Sequence, residues 1–295
     1  MARFAFTGIT GKVGRHAASL LLASGNSVRA VVRNEESAQT WKALGAEAAL
    51  AQIDDANALT TAFADTDGVY VMTPTWFEAD DMFAENRRAV AALSQALRAA
   101  KPAKVILLSS VGAQHAHGTG AILKLNHMEV AFADIPGVTA LRAAWFMENF
   151  AGLIDGVAAT GRFASMLAPL DRPVPMVATK DIGVAVAELL QRGSAAPPIV
   201  ELEGPRRYTP RDVADAFSSV LGRPVEAEIL PLAGWSETYR SWGLSPNSVE
   251  AMSEMLSGFN DGHVVFERHE TETDHGATSL ETVLADLPSP KKEIP

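Results

Sequence analysis

The chain opens with an apolar run, Arg3-Phe-Ala-Phe-Thr7, that passes at once into Gly8-Ile-Thr-Gly11-Lys-Val-Gly14 and from there into an amphipathic stretch ending near residue 23. Strand, glycine turn and helix in so short a span leave few folds open. Glycine at such a turn lets the backbone approach an anion, and the helix N-terminus adds unpaired N–H groups and the positive end of its dipole. Gly8, Thr10, Gly11, Lys12, Val13 and Gly14 therefore read as the cradle of a pyrophosphate. A second strand at 27–33 follows at the distance a dinucleotide-binding βαβ unit requires.

Beyond this unit, strand-like runs at 3–7, 27–33, 48–53, 68–73, 104–109 and 138–142 alternate with helical patterns at 13–23, 36–44, 56–64, 80–100 and 123–134. Such alternation implies right-handed crossovers and a parallel sheet covered on both faces. The expected class is α/β: a Rossmann-type doubly wound parallel sheet over residues 1–150, a smaller C-terminal α+β lobe over 151–287 interleaved with it, and a frayed tail at 288–295. The lobe begins where the alternation fails, in a Gly- and Pro-rich stretch at 152–175. Thr179, Thr209 before Pro210, and Ser245 before Pro246 then read as helix N-caps. The ligand crevice of such a sheet lies at the carboxyl ends of its strands, which brings Gln52, Thr73, Pro74, Trp76 and Ser109 beside the glycine turn.

The end of the second strand bears on which dinucleotide is bound. An acid there suits the ribose 2′-OH of NAD, whereas an arginine suits the 2′-phosphate of NADP. The chain has Val31-Val-Arg33-Asn34, with no acid before Glu35. NADP(H) is favoured, with Arg33 on the phosphate and Lys12 or Arg15 as a second cation; NAD(H) is kept as the alternative coenzyme.

Composition narrows the classes further. No cysteine is present, which removes disulfides, thiolate nucleophiles and thiolate metal ligands. A formal charge of −10 argues against nucleic acid as a partner. No stretch approaches the roughly 18 to 20 uninterrupted apolar residues of a membrane helix, and no charged-then-apolar signal precedes the first strand. The expectation is a soluble cytoplasmic protein whose partner is a small-molecule acceptor, with a homodimer left open.

Thr7-Gly-Ile-Thr-Gly-Lys-Val-Gly14, Val31-Val-Arg-Asn34, Ser109-Ser-Val-Gly112, Thr139-Ala-Leu-Arg142, Phe146-Met-Glu-Asn149 and Thr278-Ser-Leu-Glu281 together resemble the NmrA-like group of atypical short-chain dehydrogenases/reductases, over nearly the whole chain. The resemblance implies a Rossmann domain with a small C-terminal lobe and NADP(H) binding. It also implies either reduction of quinones, dyes or related acceptors, or redox sensing without turnover. Two departures stand out. Where the family shows an Asp at the end of the third strand, this chain has Gln52, whose carbonyl oxygen can still meet an adenine amino group, while Asp55 reads as a helix N-cap. The Tyr-x-x-x-Lys pair of ordinary short-chain dehydrogenases is also missing, since none of Tyr70, Tyr208 and Tyr239 precedes a Lys at that spacing.

Lys124 stands near where reductases of the wider atypical group keep a lysine, and His127, one helical turn on, is expected to share its face. Either would supply a proton, or Lys124 would bond the nicotinamide ribose; the competing reading is a solvated helix pair. Hydride transfer to a conjugated acceptor needs stacking and exclusion of water more than a strong acid. Trp76 and Phe146, both just past strand ends, are the best substrate-side candidates. Trp145, Trp235, Tyr239 and Trp242 are divided between packing and the site. His115-Ala-His117 lacks further ligands for a metal, and His269-Glu-Thr-Glu-Thr-Asp-His275 reads as a solvated charge run. The favoured function is an NADPH-dependent oxidoreductase acting on a quinone, dye or similar conjugated acceptor. The alternatives are a non-catalytic NADP(H) sensor of the NmrA type and a scaffold with a vestigial site.

Overall fold

The computed structural model describes residues 1–269 and 271–286; the tail expected to fray lies outside them. The strands are β1 (Arg3–Phe6), β2 (Ser27–Val32), β3 (Glu47–Leu50), β4 (Gly68–Val71), β5 (Lys104–Ser110), β6 (Val138–Ala143), β7 (Trp145–Phe146), β8 (Arg162–Ser165), β9 (Met176–Val177), β10 (Ile199–Glu203), β11 (Glu226–Ile229) and β12 (Glu272–His275). The helices are α1 (Lys12–Ala23), α2 (Glu35–Ala43), α3 (Ala56–Phe63), α4 (Met82–Ala100), α5 (Leu123–Phe132), α6 (Ile154–Thr160), α7 (Thr179–Arg192), α8 (Pro210–Leu221), α9 (Leu232–Ser241), α10 (Pro246–Asp261) and α11 (Leu280–Ala285).

Eight strands form one sheet in the order β12-β10-β6-β5-β4-β1-β2-β3, and every pairing is parallel. Alternate side chains divide between its two faces. Phe4, Phe6, Val28, Ala30 and Val32 join the core beneath α1 and α7, while Ala5, Val31, Val69, Val71 and Leu107 pack against α3 and α4. Helices α1 and α7 approach so closely that a Cβ on Gly183 would lie 2.8 Å from His16 Cβ. The order reverses between β1 and β4, where parallel-sheet proteins keep their ligand crevice. Thr7 fastens this point: its amide donates to Tyr70 O at 3.0 Å, and its hydroxyl accepts from Met72 N at 3.1 Å.

Residues past 150 also enter the main sheet, since β10 pairs with β6 and β12 with β10. The run at 269–275, expected to be solvated, thus contributes an edge strand over Glu272–His275. Two small parallel pairs, β7 with β9 and β8 with β11, and helices α6, α9 and α10 lie outside the large sheet. Asp55, Thr209 and Ser245 cap their helices, Thr209 in a reciprocal capping box with Asp212. Thr179 does not: α7 already includes it, and the cap comes from Glu148, whose carboxylate accepts from the Thr179 amide at 2.9 Å and from its hydroxyl. Among the described residues no helix is long and apolar enough to cross a membrane.

Candidate functional site

The turn after β1 is tightly built. Gly8 has φ +63°, and a Cβ on it would sit 2.5 Å from Met72 Cγ. At Gly14 a Cβ would meet Gly8 O at 2.6 Å, so the helix start rests directly on the turn. Gly11 donates to Gly8 O and stands at the N-cap of α1, where no side chain caps the first turn. The open amides and helix dipole there make an anion cradle.

Two cavities open at this turn and a third adjoins the second. One of about 230 Å³ lies between the turn and the end of β2, lined by Gly8, Thr10, Gly11, Arg33, Ser37 and Pro74 among others. A second, of about 210 Å³, shares Gly8, Gly11 and Met72 with it and adds Lys12, Val13, Gly14, Phe146, Glu148 and Asn149. A third, of about 550 Å³, shares Asn149 with the second and is walled by Phe77, Trp145, Phe150, Phe163, Tyr239 and Trp242. Arg162 is the one charged residue lining it, and its guanidinium is paired with Glu228 at 2.7 Å. Trp145 meets Phe259 edge-on at 5.5 Å and Tyr239 meets Trp242 edge-on at 5.6 Å, so the aromatic wall is internally braced.

The remaining expected site residues are distributed unevenly. Thr73 is buried and its hydroxyl has no partner within the protein, between two residues that line the first cavity. Gln52 is exposed; its amide donates to Arg33 O at 3.4 Å, and its neighbours Ala51 and Ile53 line the cavity instead. The Ser109 hydroxyl is taken by Glu129, which with Glu267 holds the buried Arg142 guanidinium. Trp76 packs in an apolar cluster with Met82 and Ala251, at φ +49°, and it is Phe77 that reaches the large cavity.

Lys124 and His127 part company. Lys124 is 6% exposed; its ammonium donates to Thr75 O at 3.3 Å and sits 5.9 Å from the Phe77 ring centre, and burial pushes it down to about 8. His127 is exposed and lines a groove between α4 and α5 with Arg87, Ser94 and Arg98. The expectation of one shared face fails because residues three apart on a helix are still offset by about 60°, and the boundary of the core falls between them. The segment 145–153 carries residues that sequence reasoning underweighted. Asn149 and Phe150 border the large cavity, and the signals pointing there are the Phe146-Met-Glu-Asn149 motif and the aromatics Trp145 and Phe146 past the strand end.

A parallel sheet with its strand order reversed over a glycine turn defines a dinucleotide-binding Rossmann protein, and the aromatic chamber beside it sets this chain apart from a bare nucleotide domain. A model of the NmrA-like family matches residues 2–283, and the chain belongs to that family. It is 30% identical over 228 residues, 76% of each chain, to a (4-alkanoyl-5-oxo-2,5-dihydrofuran-3-yl)methyl phosphate reductase from Streptomyces griseus. It is 23% identical over 252 residues, 85% of each, to an NAD(P)H azoreductase from Xenophilus azovorans. Among solved structures it superposes on an NADPH-dependent quinone oxidoreductase from Escherichia coli in complex with NADPH, with a TM-score of 0.77, 21% identity and coverage of 96% and 98% of the two chains. It also superposes on NmrA, a negative transcriptional regulator, with a TM-score of 0.72, 17% identity and coverage of 97% and 95%.

Proposed function

We propose that this chain is an NADP(H)-dependent reductase that passes hydride to a small, flat, conjugated acceptor such as a quinone or an azo or triphenylmethane dye. The observation that carries the reading is the adjacency of the three cavities, with the glycine turn common to the first two and Asn149 in the wall between the second and third.

The residues present fit a phosphorylated dinucleotide. Gly8 and Gly14 let the turn pack directly against Met72 and the start of α1, the first turn of α1 is uncapped, and the orphaned Thr73 hydroxyl stands beside the cavity. In this reading the amides opening α1 hold the diphosphate, Arg33 with Lys12 or Arg15 holds the 2′-phosphate, and Phe146 and Asn149 flank the reacting end. When bound, the reduced coenzyme would supply hydride; a quinone or azo acceptor would need one further proton, available from water, and a cationic dye none. The aromatic wall holds the acceptor flat and keeps competing water away. Lys124 props the Thr75–Phe77 wall through Thr75 O, and a delocalised anionic product needs no strong acid next to it.

The names of the azoreductase, the furanone phosphate reductase and the quinone oxidoreductase support this class of chemistry. The missing Tyr-x-x-x-Lys pair and the likeness to a transcriptional regulator favour a second reading, a nucleotide sensor without turnover. NADPH oxidation followed by absorbance against quinones and dyes separates the two. Turnover is expected, and Gly11→Asp should abolish it without unfolding the chain, because Asp is a good N-cap yet sets a negative charge where the diphosphate belongs. Tight NADPH binding with no turnover on any acceptor would establish the sensor.

A further inference from the structure

Two hydrogen-bond donors in the wall of the large cavity have nothing to donate to, and each is closed off from the empty space by its neighbours. Tyr239 is 2% exposed, and neither its Oη nor the Nε1 of Trp145 finds a partner within the protein; both residues line the cavity. Leaving such groups unsatisfied is costly, so native chains seldom bury them without a use. Other tryptophans do not share the defect: Trp235, also buried on α9, donates its Nε1 to Leu230 O at 2.8 Å. The same cavity offers no unpaired charge, since Arg162 is held by Glu228.

We propose that the Tyr239 hydroxyl and the Trp145 indole N–H select the acceptor by donating to its oxygens, so that the chamber is specific for a neutral, carbonyl-bearing conjugated ring in preference to a cationic dye. This rests on the reading of the large cavity as the acceptor site. A quinone carries acceptor oxygens on the edge of a flat ring. The aromatic walls cover its faces, a small turn of the two side chains brings their donors to its rim, and the hydrogen bonds strengthen as charge gathers on those oxygens during reduction. A triarylmethane cation brings positive charge and no carbonyl. It finds neither a carboxylate to pair with nor a use for the donors.

The test is calorimetric binding of naphthoquinone, and of naphthalene as the same ring without oxygens, to the full chain and to Tyr239→Phe and Trp145→Phe. Each substitution keeps an aromatic ring and removes a donor. Tyr239→Phe should weaken naphthoquinone about five- to tenfold, the worth of one neutral hydrogen bond, while naphthalene binding and thermal stability hold. Trp145→Phe should act in the same direction on naphthoquinone and serves if the first variant folds poorly. Equal losses for both ligands, or none, would overturn the assignment and leave the donors to buried water. Turnover is measured separately. Donor-dependent naphthoquinone binding without NADPH oxidation would refute the reductase reading while leaving the recognition intact.

Discussion

Glu148 accepts the backbone amide of Thr179 through both carboxylate oxygens, at 2.9 and 3.0 Å, and its hydroxyl as well. One carboxylate thereby satisfies the open end of α7 and pins the segment 145–153 that separates the glycine-turn cavity from the aromatic one. The dipole of α7 offsets its charge, which lets an acid stand beside the anion cradle of the glycine turn. Glu148→Ala should cost about 1–2 kcal/mol in stability and raise KM for coenzyme and acceptor together. Urea unfolding and steady-state kinetics check this, and an effect on one ligand alone would separate Glu148 from the shared wall.

Arg33 directly follows β2 and lines the first cavity, and among the described residues it makes no ion pair. Arg33→Ala should weaken NADPH roughly ten- to hundredfold, because a charge-assisted bond to a phosphate is worth about 1.5–3 kcal/mol. NADH should be nearly unaffected. Titration of both coenzymes gives the ratio directly, and equal losses would place the 2′-phosphate elsewhere.

Gly14 differs from Gly11 in what surrounds it. A Cβ at Gly14 meets backbone, Gly8 O at 2.6 Å and Ile9 Cα at 3.0 Å, whereas at Gly11 the nearest atom is 3.3 Å away. Backbone cannot swing aside as a side chain does. Gly14→Ala should therefore cost about 1–3 kcal/mol of stability and lower coenzyme affinity by spreading the turn, while Gly11→Asp loses affinity alone. Thermal melts of the two variants without ligand should diverge.

The central sheet was legible because a parallel strand buried on both faces needs a largely apolar run: β1, β4 and β5 have unbroken ones, and β2 and β6 are interrupted only by Arg29 and by Thr139 and Arg142. The glycine turn and the caps at Asp55, Thr209 and Ser245 were equally local. β12 was not. Glu-Thr-Asp-His is polar on both sides, as an edge strand can be, and only its pairing with β10 reveals it. Helix α6 hid for a similar reason, since Gly156 and Thr160 weaken its pattern. The aromatic chamber draws on residues from Phe77 to Leu256, so its membership is a property of tertiary packing. That is why the sequence leaves Tyr239 and Trp242 divided between packing and the site, and why Trp76 stands in for its neighbour Phe77.

Lys124 gives a pH signature. Burial pushes its ammonium from 10.5 down to about 8, so between those values the unfolded chain holds a proton that the folded chain has released. Stability then rises with pH across that window, and the penalty is fully present below pH 8. Lys104, also buried and lowered to about 8, acts with the same sign. Lys124→Met keeps the length of the side chain and removes the buried charge. It loses the bond to Thr75 O and the distant contact with the Phe77 ring, both small beside the burial penalty, so at pH 7 the variant should be more stable by about 1–3 kcal/mol, with a shallower rise toward pH 10. The freed Thr75–Phe77 wall should raise KM for the acceptor while kcat changes little. A fall in kcat with KM unchanged would instead make Lys124 a proton donor, and a less stable variant at pH 7 would show that the ammonium is better paired than its one carbonyl contact implies.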